Sequence, residues 1–320
     1  MGFHIAAIGH GKGRAAIETS LPFAYTTAVF GWLLSAGVYI AAKWIIPEMP
    51  PWALCFWRLA LACVILLPIV RQHYPSMIAL LRDRPLELLV VGVLGLTVCQ
   101  GLIYVGLEFT NATTAGIIMA LAPMITMVLA HFLLAEKMGF RQAAGAAISM
   151  FGMIVIVARG DLPGLLRLEV NAGELLIVGS AVAWALYTVL LRRLKFGIER
   201  LPLLVLLLGM GAVGAAPLYL WEIFSGQRTA MDTTGLLALA YVAGPGGAFM
   251  YYLYNRSVDT LGASRAGMML YLQTAFVAIL AYIFLGERLQ GFDIVGGAFI
   301  VAGLLTAMLP ARHKPTPAAS

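Results

Sequence analysis

Leu134-Ala135-Glu136-Lys137 returns as Leu285-Gly286-Glu287-Arg288, 151 residues further on and inside a matching apolar stretch, so the chain carries an internal duplication. The same offset superposes Ala112 on Ala263, Ala115 and Gly116 on Ala266 and Gly267, Gly145 on Gly296, and Gly152 on Gly303. Each copy holds five hydrophobic windows. The odd number matters, because a second copy that starts after five crossings enters a bilayer upside down relative to the first. Inverted repeats of this kind recur among secondary transporters.

With 61% hydrophobic and 11% charged residues over 320 positions, the chain cannot cover its own surface with polar groups. A hydrocarbon core of about 30 Å takes roughly 20 residues of helix to cross. Windows of that kind fall at 24–46, 51–71, 86–107, 112–134, 139–158, 173–192, 201–221, 234–254, 261–285 and 291–309. Pro47, Pro50 and Pro51 separate the first two, and Asn111 separates the third from the fourth. The predicted fold is an all-α integral membrane protein with ten transmembrane helices in two inverted five-helix repeats. Its parts are a cytoplasmic segment 1–23, a first repeat 24–158, an external linker 159–172, a second repeat 173–309 and a cytoplasmic tail 310–320.

Residues 1–23 contain Lys12, Arg14 and Glu18 without a short apolar stretch and small-residue cleavage site, so they do not read as a signal peptide. Cys55, Cys63 and Cys99 fall within windows, at spacings that suit neither a disulfide framework nor a zinc site. The net charge of +6 reads as an orientation signal rather than a nucleic-acid footprint. With the N-terminus inside, fifteen basic residues from Lys12 to Lys314 lie on the inner side. Only Lys43, Arg159, Arg167, Arg228 and Arg288 lie outside, which puts both termini in the cytoplasm.

Breaks at midplane in both copies point to a cavity, because freed backbone carbonyls are tolerated at that depth only where they line one or find a partner. Gly244-Pro245-Gly246-Gly247 interrupts the eighth window and Gly92 and Gly95 the third. Pro123 interrupts the fourth, where it offers no N–H to the Met119 carbonyl. Thr97, Gln100 and Tyr104 share a helical stripe, as do Gly244, Ala248, Tyr251 and Asn255. Polar groups facing lipid are costly, so these stripes face protein or water. Gly116, Ala120, Pro123 and Met127 form a stripe on the fourth window, and Gly267, Tyr271, Thr274 and Ala278 one on the ninth. Their small residues permit close helix contact or open space. Tyr39 and Tyr187 stand in corresponding windows of the two copies, with Trp184 one turn from Tyr187. Such rings suit an apolar or aromatic ligand, although rings at helical spacing also serve as plain packing. Arg58 lies well inside the second window, where a cation costs at least roughly 2.5 to 3.5 kcal/mol. We place outward snorkelling of Arg58 slightly ahead of binding to a substrate carboxylate, and assign Lys43 and Arg265 to snorkelling. His131 reads as hydrogen-bonded structure rather than a proton relay. Glu48, Glu87, Glu108, Glu174, Glu222, Glu287 and Asp293 all sit at window ends or in loops, which disfavours a buried-carboxylate proton antiporter of cations.

Pro50-Pro51-Trp52-Ala53-Leu54-Cys55-Phe56-Trp57-Arg58 resembles the second helix of EamA-type members of the drug/metabolite transporter superfamily. Ala122-Pro123 with Leu134-Ala135-Glu136-Lys137 resembles the fourth. Trp184-Ala185-Leu186-Tyr187, Tyr254-Asn255-Arg256 and Leu285-Gly286-Glu287-Arg288 look like the second-half counterparts. The resemblance spans about residues 24 to 309 and implies a central substrate cavity, alternating access and a bacterial-type inner membrane. It also implies export of amino acids, aromatic ones included. The chain departs from the family pattern at Ala36-Gly37, where Trp is common, and at Gln273-Thr274, where Glu-Pro is common. The candidate substrate residues are Tyr39, Thr97, Gln100, Tyr104, Met119, Pro123, Trp184, Tyr187, Tyr251, Tyr271, Gln273 and Thr274. The expected partners are a small molecule and the lipid bilayer, with no nucleic acid, and one subunit suffices for a pathway. No cofactor or metal is expected. The alternatives left open are a carrier of nucleosides or drug-like molecules, a channel, and a membrane enzyme. The enzyme lacks a His-Glu-x-x-His helix and a buried aspartate pair, and the channel lacks charged rings.

Overall fold

The computed structural model describes residues 21–135, 139–157, 171–227, 229–261 and 270–308, which fold as helices joined by short turns. The helices are α1 (Leu21–Ile45), α2 (Pro51–Leu66), α3 (Tyr74–Asp83), α4 (Pro85–Gly92), α5 (Cys99–Phe109), α6 (Ala112–Met119) and α7 (Ala122–Leu134). They continue as α8 (Phe140–Val157), α9 (Ala172–Leu194), α10 (Arg200–Phe224), α11 (Thr233–Ala243), α12 (Met250–Leu261), α13 (Leu270–Leu285) and α14 (Gly291–Met308). Seven helical stretches are long and apolar enough to cross a membrane among the described residues. They are Phe23–Ile45, Pro51–Asp83, Pro85–Phe109, Ala112–Leu134, Ala172–Leu194, Arg200–Phe224 and Thr233–Ser257. Three shorter apolar stretches are Ala143–Ile156, Leu272–Leu285 and Gly291–Gly303. Phe132, Leu218, Trp221, Leu237, Ile283 and Ile294 are exposed, an apolar coat that only a lipid-facing surface tolerates on this scale.

Local chemistry sets the ends. Asn111 caps α6 by accepting from the Thr114 N–H at 2.6 Å, and Asp232 caps α11 by accepting from Gly235 at 2.8 Å. Ala135, at φ 54°, ends α7 in the left-handed region. Prolines at the first turns of α2, α4 and α7 fall where their missing N–H is not needed.

The expected helix breaks are present. Between α4 and α5 the chain winds as a π-helix over Val93–Val98, and between α11 and α12 it does so over Gly244–Phe249, 151 residues later. Wider π turns loosen the ladder, and side chains supply donors beside the first one. Ser180 Oγ donates to the Cys99 carbonyl at 2.8 Å and Cys55 Sγ to that of Thr97 at 3.7 Å. Between α6 and α7 the helix breaks at Ala120-Leu121, two residues before Pro123. Residues 71–85 are not the loop that hydropathy suggests. A 3₁₀ turn over Leu67–His73 leads into α3, an amphipathic helix whose Met77 and Leu80 are buried.

Packing pairs the two halves. α1 lies against α12 and α13, while α9 lies against α5, α6 and α7; α2 lies against α10, and α8 against α14. At the last crossing a Cβ on Gly152 would strike the Gly296 backbone, and one on Gly296 would strike that of Gly152, so glycine alone allows this approach. Ser149 Oγ donates to the Ile300 carbonyl at 3.2 Å in the same seam. The terminal segments, the 159–170 part of the linker, Glu136-Lys137, Arg228 and Arg265 lie outside the described residues.

Candidate functional site

A cavity of about 510 Å³ lies between α1, α2, α5, α6, the start of α7, α9, α10, α12 and α13, within the size range of small-molecule sites. Its wall includes nine of the sequence-predicted residues: Tyr39, Gln100, Tyr104, Met119, Trp184, Tyr187, Tyr251, Gln273 and Thr274. Thr97 is turned away, its hydroxyl donating to the Gly211 carbonyl of α10 at 2.6 Å. The stripe drawn through Thr97 assumes α-helical spacing, whereas Thr97 sits in the π turn, where more residues per turn rotate it onto another face. Pro123 serves at the start of α7 and is not part of the wall, although the neighbouring Ala122 is. The Tyr271 side chain lies outside the described residues.

The wall is aromatic with a polar core. Trp184 and Tyr187 on α9 stand 5.2 Å apart between ring centres, and Gly95 makes room for Tyr187, because any Cβ at 95 would run into that ring. Tyr39, Tyr104, Tyr187 and Tyr251 are all buried. Gln273 donates to Ser35 Oγ at 3.1 Å, and Thr274 donates to the Gly116 carbonyl at 3.2 Å, which ties α13 to α1 and α6 beside the cavity.

Arg58 corrects the snorkelling assignment. It is 3% exposed, lines the cavity, and donates from Nη1 to Gln100 Oε1 and, at 2.9 Å, to the Tyr104 hydroxyl. α5 supplies both acceptors one turn apart, so a fixed platform holds the guanidinium inside rather than letting its stem reach the surface. Trp32 and Ser35 were also missed, though the signal existed. Trp32, Ser35 and Tyr39 sit at i, i+3 and i+7 on α1, and Trp32 meets Tyr254 edge-on at 5.4 Å. Lys43, half-buried in the last turn of α1, donates to the Leu107 carbonyl near the end of α5 at 2.5 Å.

The cavity is lopsided. Its wall reaches Arg192 near the end of α9 and Arg200 at the start of α10, and includes no residue of the opposite end. That opposite end is laced shut. Glu287 accepts from the Ala112 and Thr113 N–H groups, both at 3.0 Å, and from the Thr113 hydroxyl at 2.8 Å. Glu222 accepts from the Trp52 and Ala53 N–H groups at 3.0 and 2.8 Å. Thr114 donates to Asp293 at 2.9 Å, and Asn171 to the Phe109 carbonyl at 3.0 Å. A carboxylate beside two free N–H groups at a helix start is favoured by hydrogen bonding and by the helix dipole together. Two of the acidic residues at window ends, Glu222 and Glu287, are thus caps on helices from elsewhere in the sequence.

The EamA-like transporter family profile matches residues 22–158 and again 171–309. The chain is 25% identical over 278 residues to the "Uncharacterized transporter YyaM" of Bacillus subtilis (strain 168), covering 86% of this chain and 90% of that one. It is 27% identical over 224 residues to the "Probable terminal-alkyne amino-acid exporter" of Streptantibioticus cattleyicolor, covering 70% and 73%. A solved crystal structure superposes with a TM-score of 0.63 at 22% identity, over 92% of this chain and all of that one, which shows a shared fold.

Proposed function

Because this chain belongs to the EamA-like transporter family, we propose that it exports small metabolites, chiefly amino acids with aromatic or other apolar side chains, by alternating access around the central cavity. The observation that carries the reading is the lopsided cavity. A pocket walled by aromatic rings and a few polar groups reaches one end of the bundle, while carboxylate caps close the other. In this reading the chain crosses the membrane ten times in two inverted five-helix repeats, 24–158 and 173–309, joined by the 159–172 linker. Three features support it: the π turns 151 residues apart, α8 and α14 at the same offset, and the reciprocal Gly152–Gly296 approach. The basic residues then put both termini in the cytoplasm, the cavity opens inward, and the Glu287 end faces out.

Amino acids are favoured because the wall offers rings for an apolar side chain and polar groups for a charged head. The relative in Streptantibioticus cattleyicolor bears the name of an amino-acid exporter. The test is counterflow in proteoliposomes loaded with L-phenylalanine, L-leucine, a nucleoside or buffer alone. Saturable counterflow of the amino acids without an imposed pH gradient is expected, since among the described residues no carboxylate lines the cavity to carry a proton. Counterflow of the nucleoside alone rejects the amino-acid assignment, and non-saturating flux rejects a carrier.

A further inference from the structure

Resting on the carrier reading, we propose that Arg58 is the anion anchor of the cavity and that the molecules carried are recognised through a carboxylate. Arg58 is deeply buried yet lines the cavity, and its two hydrogen bonds both leave from Nη1 toward neutral acceptors, the Gln100 amide oxygen and the Tyr104 hydroxyl. Among the described residues no carboxylate pairs with it, and neither Nη2 nor Nε donates to a described residue. A guanidinium carries five donors in a flat fork that matches a carboxylate through two parallel hydrogen bonds, and this edge of the fork remains for a ligand.

The rest of the wall agrees in sign. Among the described residues it contains Arg58, Arg192 and Arg200 and no Asp or Glu, so this wall presents net positive charge. Arg192 and Arg200 stand at the open end with interactions of their own, where they draw an anion inward, whereas Arg58 stands at the inner end of that path. A buried cation supported only by neutral groups is a poor way to stabilise a helix pair, because an apolar contact of the same volume serves better. The same arrangement is effective when a bound anion completes the pair. Gln100 and Tyr104 fix the guanidinium without neutralising it. Tyr39, Tyr187, Tyr251 and Trp184 then stand ready for an apolar or aromatic body on the same molecule. Among anions, one guanidinium among rings favours a carboxylate over a phosphate, which takes several cationic or backbone donors.

The experiment compares five probes that share a phenyl ring: L-phenylalanine, 3-phenylpropionate, L-phenylalaninamide, 2-phenylethylamine and phenyl phosphate. Binding is read by thermal stabilisation of the purified full-length protein and by inhibition of counterflow. L-Phenylalanine and 3-phenylpropionate are expected to bind, and the amide and amine at least about tenfold more weakly. Arg58→Gln is expected to abolish this preference, with carboxylate affinity falling about ten- to a hundredfold. Since Arg58→Gln could disturb the fold, Gln100→Glu is the second variant. It supplies an internal carboxylate beside Arg58 and is expected to displace the ligand's carboxylate without lowering Tm. Arg58→Lys, which keeps the charge and loses the fork, is expected to fall between wild type and Arg58→Gln. Equal binding of acid, amide and amine to wild type overturns the proposal. So does a folded Gln100→Glu or Arg58→Gln protein that keeps its carboxylate affinity within about twofold. Arg58-dependent binding of phenyl phosphate alone replaces the carboxylate with a phosphate and overturns it too. The two readings separate cleanly. 3-Phenylpropionate binding without L-phenylalanine retains the anchor and rejects the amino acid. L-Phenylalanine binding that ignores Arg58 does the reverse, and silence from all five probes rejects both.

Discussion

Thr97 and Gln100 stand three residues apart and do different work: Thr97 holds the π turn onto α10, whereas Gln100 holds Arg58 at the cavity. Their substitutions should separate accordingly. Thr97→Val removes a buried hydrogen bond worth about 0.5 to 1.5 kcal/mol, so Tm should fall by a few degrees while substrate affinity is unchanged. Gln100→Ala, Tyr104→Ala and Tyr251→Ala should each weaken binding about two- to tenfold in the same assay, with the protein still extractable and folded. Trp221→Ala is the control, because that side chain is 61% exposed on the apolar surface and remote from the cavity wall. Equal losses in the control and the three cavity variants would show that the wall is general packing. Gly95→Ala should displace the Tyr187 ring and lower both Tm and affinity, since an added methyl in this packed contact costs about 1 to 3 kcal/mol.

Two helices in this chain are finished by residues from distant segments. α2 is capped by Glu222 of α10, and α6 by Glu287 beyond α13, so each cap exists only while two distant segments stay together. In the proposed alternating-access cycle, opening the closed end would take Glu287 away from the start of α6. Glu287→Ala should therefore cost about 0.5 to 2 kcal/mol of stability and shift the protein toward the state open at that end. The measurement is labelling of a cysteine at Ser35 by a membrane-impermeant maleimide added from outside, in a background lacking Cys55, Cys63 and Cys99. Faster labelling in Glu287→Ala than in the parent is expected, and unchanged labelling means that the cap stabilises a helix without gating the cavity.

At the scale of the whole molecule, α8 and α14 meet through glycines while the cavity-lining helices leave space at the centre. Gly296→Leu should push this pair apart and lower Tm by more than Gly95→Ala, because the side chain would meet the Gly152 backbone, which cannot rotate aside, as well as Ile156. The cavity geometry should survive in whatever fraction folds, with the carboxylate preference intact. Orientation is tested by reporter fusions. Tags at Ser320 and within 71–85 should be cytoplasmic and one within 159–171 external, whereas external termini would reverse the direction in which the cavity opens.

Composition and periodicity were enough to give helices, an apolar exterior, the internal duplication and the places where helices break. Each of these follows from local chemistry: lipid requires satisfied backbones, proline removes a donor, and glycine clusters loosen a turn. Nine cavity residues were legible for the same reason, since a helical stripe keeps its face as long as the helix stays α. Thr97 and Pro123 stand off the wall, the first because a π turn shifts the face and the second because a break in the chain leaves it at the start of α7. The sequence alone assigned Arg58 to the surface, and the partners of Lys43, Glu222 and Glu287 were not legible in it. A charge in or near an apolar window has the same signature whether it snorkels to water or pairs inside. The choice depends on acceptors and donors between 42 and 175 residues away, which only the packed bundle brings within hydrogen-bond reach.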